Sequence, residues 1–314
     1  MDYRWIPGMG PDAERLARMA AHAKRPREPM GEAWFMGDAR EMYTYLLDTH
    51  LDRFTDQQLE QPLVEIASGT CAFGMMDEWQ QWFDYLLPAL VPLALARCRS
   101  ALHELLVNAF IAQHPNGVAE RAHGRYRDDV LLTLGRYLMD ARHWHDGKAA
   151  LSCILHPAPG PQQQTWGWKD ASGDLSASLF LCLKYLRPEE IDGWIGSVFA
   201  IDDPHWRAQI LVWLVGSRPL MDGSNRYPNQ TIDLAPSVAW EWSWCHTGAD
   251  EQAIDGQMTP FIALENAAAF KASVAKLLRE TLTEWRASIA AIDYLAFEAL
   301  PCTADLESLF GLQR

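Results

Sequence analysis

Two pairs of neighbouring residues carry side chains that could do chemistry. His145-Asp146 sets an imidazole beside a carboxylate, and His143, His114 or His123 upstream with Asp202 or Asp203 downstream would complete a nitrogen and oxygen set for a divalent metal. Cys245-His246 offers a thiol and an imidazole, but adjacent residues rarely turn their side chains toward each other as nucleophile and base. There is no Gly-x-Ser-x-Gly elbow. Gly8-Met9-Gly10 follows no strand pattern, so it is no nucleotide fingerprint. The six cysteines are scattered without a Cys-x-x-Cys, which predicts reduced thiols acting as small buried hydrophobes, Cys98 and Cys182 within helical apolar patterns among them.

The run His145-Asp146-Gly147-Lys148 resembles the HD phosphohydrolases, which place an adjacent His and Asp on a metal. The resemblance implies a metal-dependent phosphohydrolase using His145 and Asp146. Here the apolar residue that separates Asp from Gly-Lys in that family is missing, and Gly147 reads as a helix end passing into a loop. Asp128-Asp129 and Asp202-Asp203 look like the acidic pairs that hold magnesium in helical terpene cyclases. Pro204 directly after Asp203 fits a helix cap better than a metal-facing surface. The leading expectation is therefore a non-catalytic chain with no cofactor and no metal.

Charge points to a partner instead. The net charge of −14 argues against sequence-independent nucleic-acid binding, which rests on Lys and Arg neutralising phosphates. Two windows contain acids and no Lys or Arg: Phe54 to Ala96, with Asp56, Glu60, Glu65, Asp77, Glu78 and Asp84, and Tyr227 to Phe270, with Asp233, Glu241, Asp250, Glu251, Asp255 and Glu265. If the windows meet in space they focus a negative potential suited to a basic protein; several of these acids could equally serve as helix starts. The chain also holds fourteen tryptophans, more than one helical face can cover where they cluster. Trp166 and Trp168 on a polar loop, and Trp240, Trp242 and Trp244 inside an acidic window, are candidate anchors. The expected partner-binding set is thus Glu241, Asp250, Glu251, Asp77 and Glu78 with those five tryptophans.

The elements that must position these residues are helical. Asp12 to Ala23, Asp38 to Thr49, Thr55 to Gly69, the run from Trp79 through Leu87, Leu102 to Phe110, Val130 to Leu138 and Phe261 to Leu282 all repeat apolar residues near 3.6, the last continuing through Leu295 before a short piece near Thr303. Pro62 is expected to shorten or bend its helix, and Pro88 with Pro92 to kink Leu86 to Ala96 into a helix pair. Trp240 to Trp244 fits either a strand or a helical face. Leu175 to Leu186, Ile191 to Phe199 and Trp206 to Leu214 form three successive stripes, with Asp203-Pro204 as cap and first turn and Gly216 as a left-handed stop.

Residues 188–216, with Asp203-Pro204, Arg207 and Gly216, resemble a HEAT-type repeat. The expected fold is all-α: antiparallel helix pairs stacked as a HEAT-like or irregular α-solenoid, in halves 1–156 and 174–314 or as one continuous domain. A solenoid exposes a concave face, so the expected role is a protein-binding scaffold, in one concrete form an immunity or inhibitor protein covering a basic toxin. Met1 to Trp5 lack a signal-peptide core and no run reaches the roughly 20 apolar residues of a membrane span, so a cytoplasmic protein is expected.

Overall fold

A computed structural model describes residues 1–31, 41–48, 50–97, 100–118, 124–151, 153–155, 167–246 and 260–311. Among them are thirteen α-helices and a single two-residue strand pair, so the protein is all-α. The chain forms two compact units that are not linear halves. The first is Pro11–Tyr137 with Glu241–Met258, and the second is Met1–Gly10 with Leu138–Trp240 and Thr259–Arg314.

The first unit contains α1 (Ala13–His22), α2 (Tyr45–Asp48), α3 (Asp56–Phe73), α4 (Asp77–Ala96), α5 (Leu102–Gln113) and α6 (Tyr126–Leu132). Thr55 opens α3 with a capping box, its hydroxyl accepting from the Gln58 N–H while the Gln58 side chain accepts from the Thr55 N–H. Pro62 neither shortens nor ends this helix. A proline there removes the donor that would reach the Gln58 carbonyl, and the Tyr45 hydroxyl donates to that carbonyl instead, at 2.9 Å. At Gly69 a Cβ would lie 2.4 Å from the Trp79 ring, so glycine is what lets α4 close on α3.

Helix α4 runs unbroken through Pro88 and Pro92 rather than splitting into a kinked pair. Each interior proline costs roughly 3 kcal/mol. Trp79, Trp82, Phe83, Leu86, Leu87, Leu90 and Val91 are all buried from the same helix, and each large apolar side chain so buried contributes about 1.5–3 kcal/mol. Burial wins. At the centre lies α5, packed chiefly against α3 and then α4, with all of its residues buried, including His103, Glu104, Asn108 and Gln113. A helix enclosed on every side must satisfy its polar groups internally. His103 stacks on Tyr137 at 3.8 Å, and Gln113 donates to Thr70 Oγ1 at 2.6 Å.

The second unit contains the hairpin β1 (Trp144–His145) and β2 (Lys148–Ala149), then α7 (Gly173–Tyr185), α8 (Pro188–Phe199), α9 (Pro204–Gly216), α10 (Arg218–Met221), α11 (Leu264–Ala290), α12 (Asp293–Ala299) and α13 (Cys302–Leu309). The α9 start matches its sequence signature: Asp203 accepts from the Trp206 N–H at 2.7 Å and Pro204 is the first helical residue. Gly216 serves differently from expectation. It ends α9 without a left-handed backbone, and a Cβ there would lie 2.6 Å from both the Pro236 carbonyl oxygen and Val238, so close backbone approach is what requires glycine.

Phe270, Val274, Leu278, Leu282, Trp285 and Ile289 form the buried stripe of α11, which stops at Ala290 instead of running on through Leu295. Helices α8 and α9 pack most heavily on α11, α12 and α13, partners distant in sequence. Trp5, Trp194, Trp206, Trp213 and Trp285 are buried here, Trp5 meeting the edges of Trp194 and Trp206 at 5.6 and 6.0 Å. Cys182 is buried as predicted, with Cys98 outside the described residues, but Cys153 is disulfide-bonded, which corrects the expectation of six reduced thiols. Among the described residues no helix is long and apolar enough to cross a membrane.

Candidate functional site

The most organised polar cluster lies in the first unit and begins with two residues one turn apart on α5. Glu104 Oε2 accepts from the Glu241 N–H at 2.5 Å, and Asn108 Nδ2 donates to the Glu241 carbonyl at 2.8 Å. With both backbone groups of Glu241 clamped, the chain turns sharply. Trp242 sits at φ 62°, a backbone region a bulky side chain occupies only when its surroundings impose it. A bond from the Cys245 N–H to the Trp242 carbonyl closes the turn, which continues as a short 3-10 stretch to His246. Residues 240–246 are therefore neither strand nor α-helix.

This turn delivers Cys245 and His246 to Cys71, in the last turn of α3. His246 Nδ1 lies 3.9 Å from Cys71 Sγ, and its Nε2 lies 3.1 Å from Asn108 Oδ1. The donor and acceptor roles follow by elimination. The Glu241 carbonyl can only accept, so Asn108 presents its amide nitrogen there and its oxygen to His246. That oxygen needs a donor, so Nε2 carries the proton and Nδ1 turns a lone pair toward Cys71. The Cys71 and Cys245 sulfurs and a His246 nitrogen all lie within 4.8 Å of one another. Cys245, His246 and Asn108 are buried, and Cys71 is half-buried.

Electrostatics follow from this geometry. A hydrogen bond from Cys245 holds the Cys71 thiol well below the ordinary range despite its burial. The same contact with Cys71, together with burial, pushes the Cys245 thiol up. Burial raises Glu104 to about 7, opposed by the Glu241 N–H and reinforced by the Glu241 carboxylate. Burial also raises Glu60, with Asp56 and Glu241 adding to the shift against the Ala101 N–H. Among the described residues, Cys71, Cys245 and His246 are the one group of three metal-capable side chains whose donor atoms converge.

The residues singled out in sequence fare unevenly. His145 and Asp146 sit at the tip of the β1–β2 hairpin, with side chains 94% and 90% exposed and 3.5 Å apart. Asp146 at φ 49° and Gly147 at φ 74° form a tight two-residue turn in place of the helix an HD pair needs. His143 is buried one residue before β1, and His114 packs on Phe110 and Tyr126. Buried Asp129 accepts from Arg15 and Arg18, Asp128 pairs with Arg127, Asp202 pairs with Arg207, and Asp203 caps α9, so both acidic pairs are structural.

Most acids of the first window have internal partners. Asp56 meets Arg97, Glu60 accepts from the Ala101 N–H, Glu65 from Tyr43, Glu78 from the Gly31 N–H and Asp84 from Tyr126. Asp77 and Glu78 occupy the first turn of α4 and line a groove with His22, Lys24, Arg25 and Arg27, which is not an acid-only surface. Trp168 and Trp240 are core residues rather than exposed anchors: the Trp168 N–H donates to Glu298 and its ring lies 5.1 Å from His205, while Trp240 packs on Phe180 at 5.5 Å. Trp244 is 53% exposed and packs on Trp242 at 5.6 Å, beside exposed Glu241. Trp166, His123, Asp250, Glu251 and Asp255 lie outside the described residues.

Cys71, Glu104 and Asn108 are functional candidates that the sequence did not single out. The available signal was Glu104 and Asn108 four apart in a helix that is otherwise largely apolar. In the second unit, an open cleft of about 710 Å³ is bordered by Arg4, Trp5, Lys148, Asp192, Ser197 and Asp202, a mixed-charge lining without convergent groups. No family model, curated protein or solved structure matches this chain.

Proposed function

We propose that the protein is a non-catalytic binding protein whose first unit presents Trp244 and Glu241 to a basic polypeptide. One observation carries this reading: Trp244 is a large aromatic left more than half exposed on a turn whose backbone is clamped by buried Glu104 and Asn108. An aromatic anchor held on a rigid element loses little freedom on binding, which is how a few residues come to dominate an interface. Exposed Phe73 and Met75 follow Cys71 at the end of α3 and add apolar surface in the same unit. Arginine or lysine from a partner would meet both a π face and a carboxylate, within a chain of net charge −14. An inhibitor that covers a basic, nucleic-acid-acting protein is the concrete form of this role.

The test is cross-linked capture from native lysate with the full chain, repeated with Trp244→Ala and Glu241→Lys after circular dichroism has checked folding. The expected result is a basic protein held by the wild type, lost about tenfold or more with Trp244→Ala, and associating more slowly and with less salt dependence with Glu241→Lys. Equal capture by all three proteins, or capture of acidic proteins alone, overturns the proposal.

A further inference from the structure

The cluster at Cys71 has a property that aromatic anchoring does not use. Two sulfurs and one imidazole nitrogen converge from segments 175 residues apart, with every donor atom within 4.8 Å of the others. Buried thiols alone need no explanation, since cysteine packs as a small hydrophobe. Buried His246 hydrogen-bonded to fully buried Asn108 does, because each polar group in such a place must be paired to offset its desolvation.

The geometry points to a zinc site whose ligands are Cys71, Cys245 and His246 Nδ1, with Asn108 as the residue that orients the imidazole. Zinc bonds of about 2.3 Å to sulfur and about 2.0 Å to nitrogen give a tetrahedral sulfur–nitrogen edge of roughly 3.6 Å. The 3.9 Å between Cys71 Sγ and His246 Nδ1 is within a small side-chain adjustment of that edge. The neighbouring shell is built as well. A metal-bound histidine typically donates its second ring N–H to a fixed acceptor, and Asn108 Oδ1 is such an acceptor, held in orientation by its bond to the Glu241 carbonyl. Two sulfurs and one nitrogen suit zinc rather than magnesium or calcium, and the half-buried side of Cys71 leaves a fourth position for water.

The surroundings favour a cation over a thiolate acting alone. Cys71 lies two residues before the end of α3, whose last turn carries no basic residue. Helix carbonyls there attract positive charge, whereas reactive thiolates gather at helix N-termini or beside cations. Glu60 and Glu104 both feel the Glu241 carboxylate. A metal would balance the two thiolates, releasing their protons to solvent as it binds.

The full chain, purified under mild reduction and stripped with a chelator, is titrated with zinc against a colorimetric chelator and separately with cobalt. About one equivalent of zinc should bind, and cobalt should give a sulfur charge-transfer band with the strong visible bands of tetrahedral coordination. Cys245→Ser and His246→Ala should each weaken binding by about a hundredfold or more, and Asn108→Ala by about 10–100-fold with the cobalt band retained. Cys182→Ser and Cys302→Ser should bind as the wild type does. Failure of the reduced, helical wild type to take up zinc overturns the site, as does preference for another metal or undiminished binding by a folded Cys245→Ser or His246→Ala variant. A disulfide between Cys71 and Cys245 in the protein as isolated, found by mass spectrometry, also overturns it.

Discussion

His145-Asp146 and Cys245-His246 are both histidine pairs formed by adjacent residues, and the fold treats them oppositely. The first stands at a hairpin tip in the second unit, almost fully exposed, its two side chains 3.5 Å apart. The second is buried in the first unit and completed by Cys71 from α3 and Asn108 from α5. Adjacency in sequence therefore says little about chemistry. What matters is whether distant elements bring further donors and a fixed orientation, and a two-residue turn reaching into solvent cannot recruit them.

The strongest way to break this contrast is at Asn108. Asn108→Ala removes the donor to the Glu241 carbonyl and the acceptor for buried His246. Urea unfolding should show a loss of about 1–3 kcal/mol, the range expected when a buried hydrogen-bonding side chain is removed. A loss under about 0.5 kcal/mol, the ordinary size for surface changes, would mean that the clamp does not hold the turn.

A smaller effect sharpens the comparison through pH. Glu104 is raised in the fold to about 7, with burial as the main cause. A carboxyl whose folded pKa lies above its unfolded value contributes stability fully present below about 4.3 and lost as pH rises through the folded value. The wild type should therefore lose on the order of 2 kcal/mol between pH 4.5 and 8 that a Glu104→Gln variant does not lose. Parallel stability profiles for the two proteins would remove Glu104 as the titrating group.

The hairpin pair should show the smallest changes. Asp146→Ala places alanine at φ 49°, where aspartate is better tolerated, and should cost about 1 kcal/mol. His145→Ala should stay within about 0.5 kcal/mol. Thermal unfolding measures both, and a His145→Ala loss approaching that of Asn108→Ala would erase the distinction between the two sites.

The helices were legible because their causes are local. A 3.6-residue apolar period, the Thr55–Gln58 capping box and the Asp203-Pro204 start depend on residues a few positions apart, and α1, α3, α5, α7, α8 and α9 follow from them closely. Proline misled for the opposite reason. Its local cost is real, but at Pro62 the missing bond is offset by the Tyr45 hydroxyl, and at Pro88 and Pro92 by burial of α4.

Which tryptophan stays outside could not be read from composition, since Trp240 and Trp244 lie four apart in the same acidic window and differ only in what packs on them. The same holds for the centre at Cys71. The sequence alone determined that α5 is a largely apolar helix, that Glu104 and Asn108 lie one turn apart on it, and that Cys245 precedes His246. Tertiary structure alone decided that those two α5 side chains seize the backbone of Glu241, 137 and 133 residues away, and turn His246 onto Cys71. Contacts at such separation depend on how whole helices pack, and no periodicity along the chain encodes which buried donor meets which acceptor.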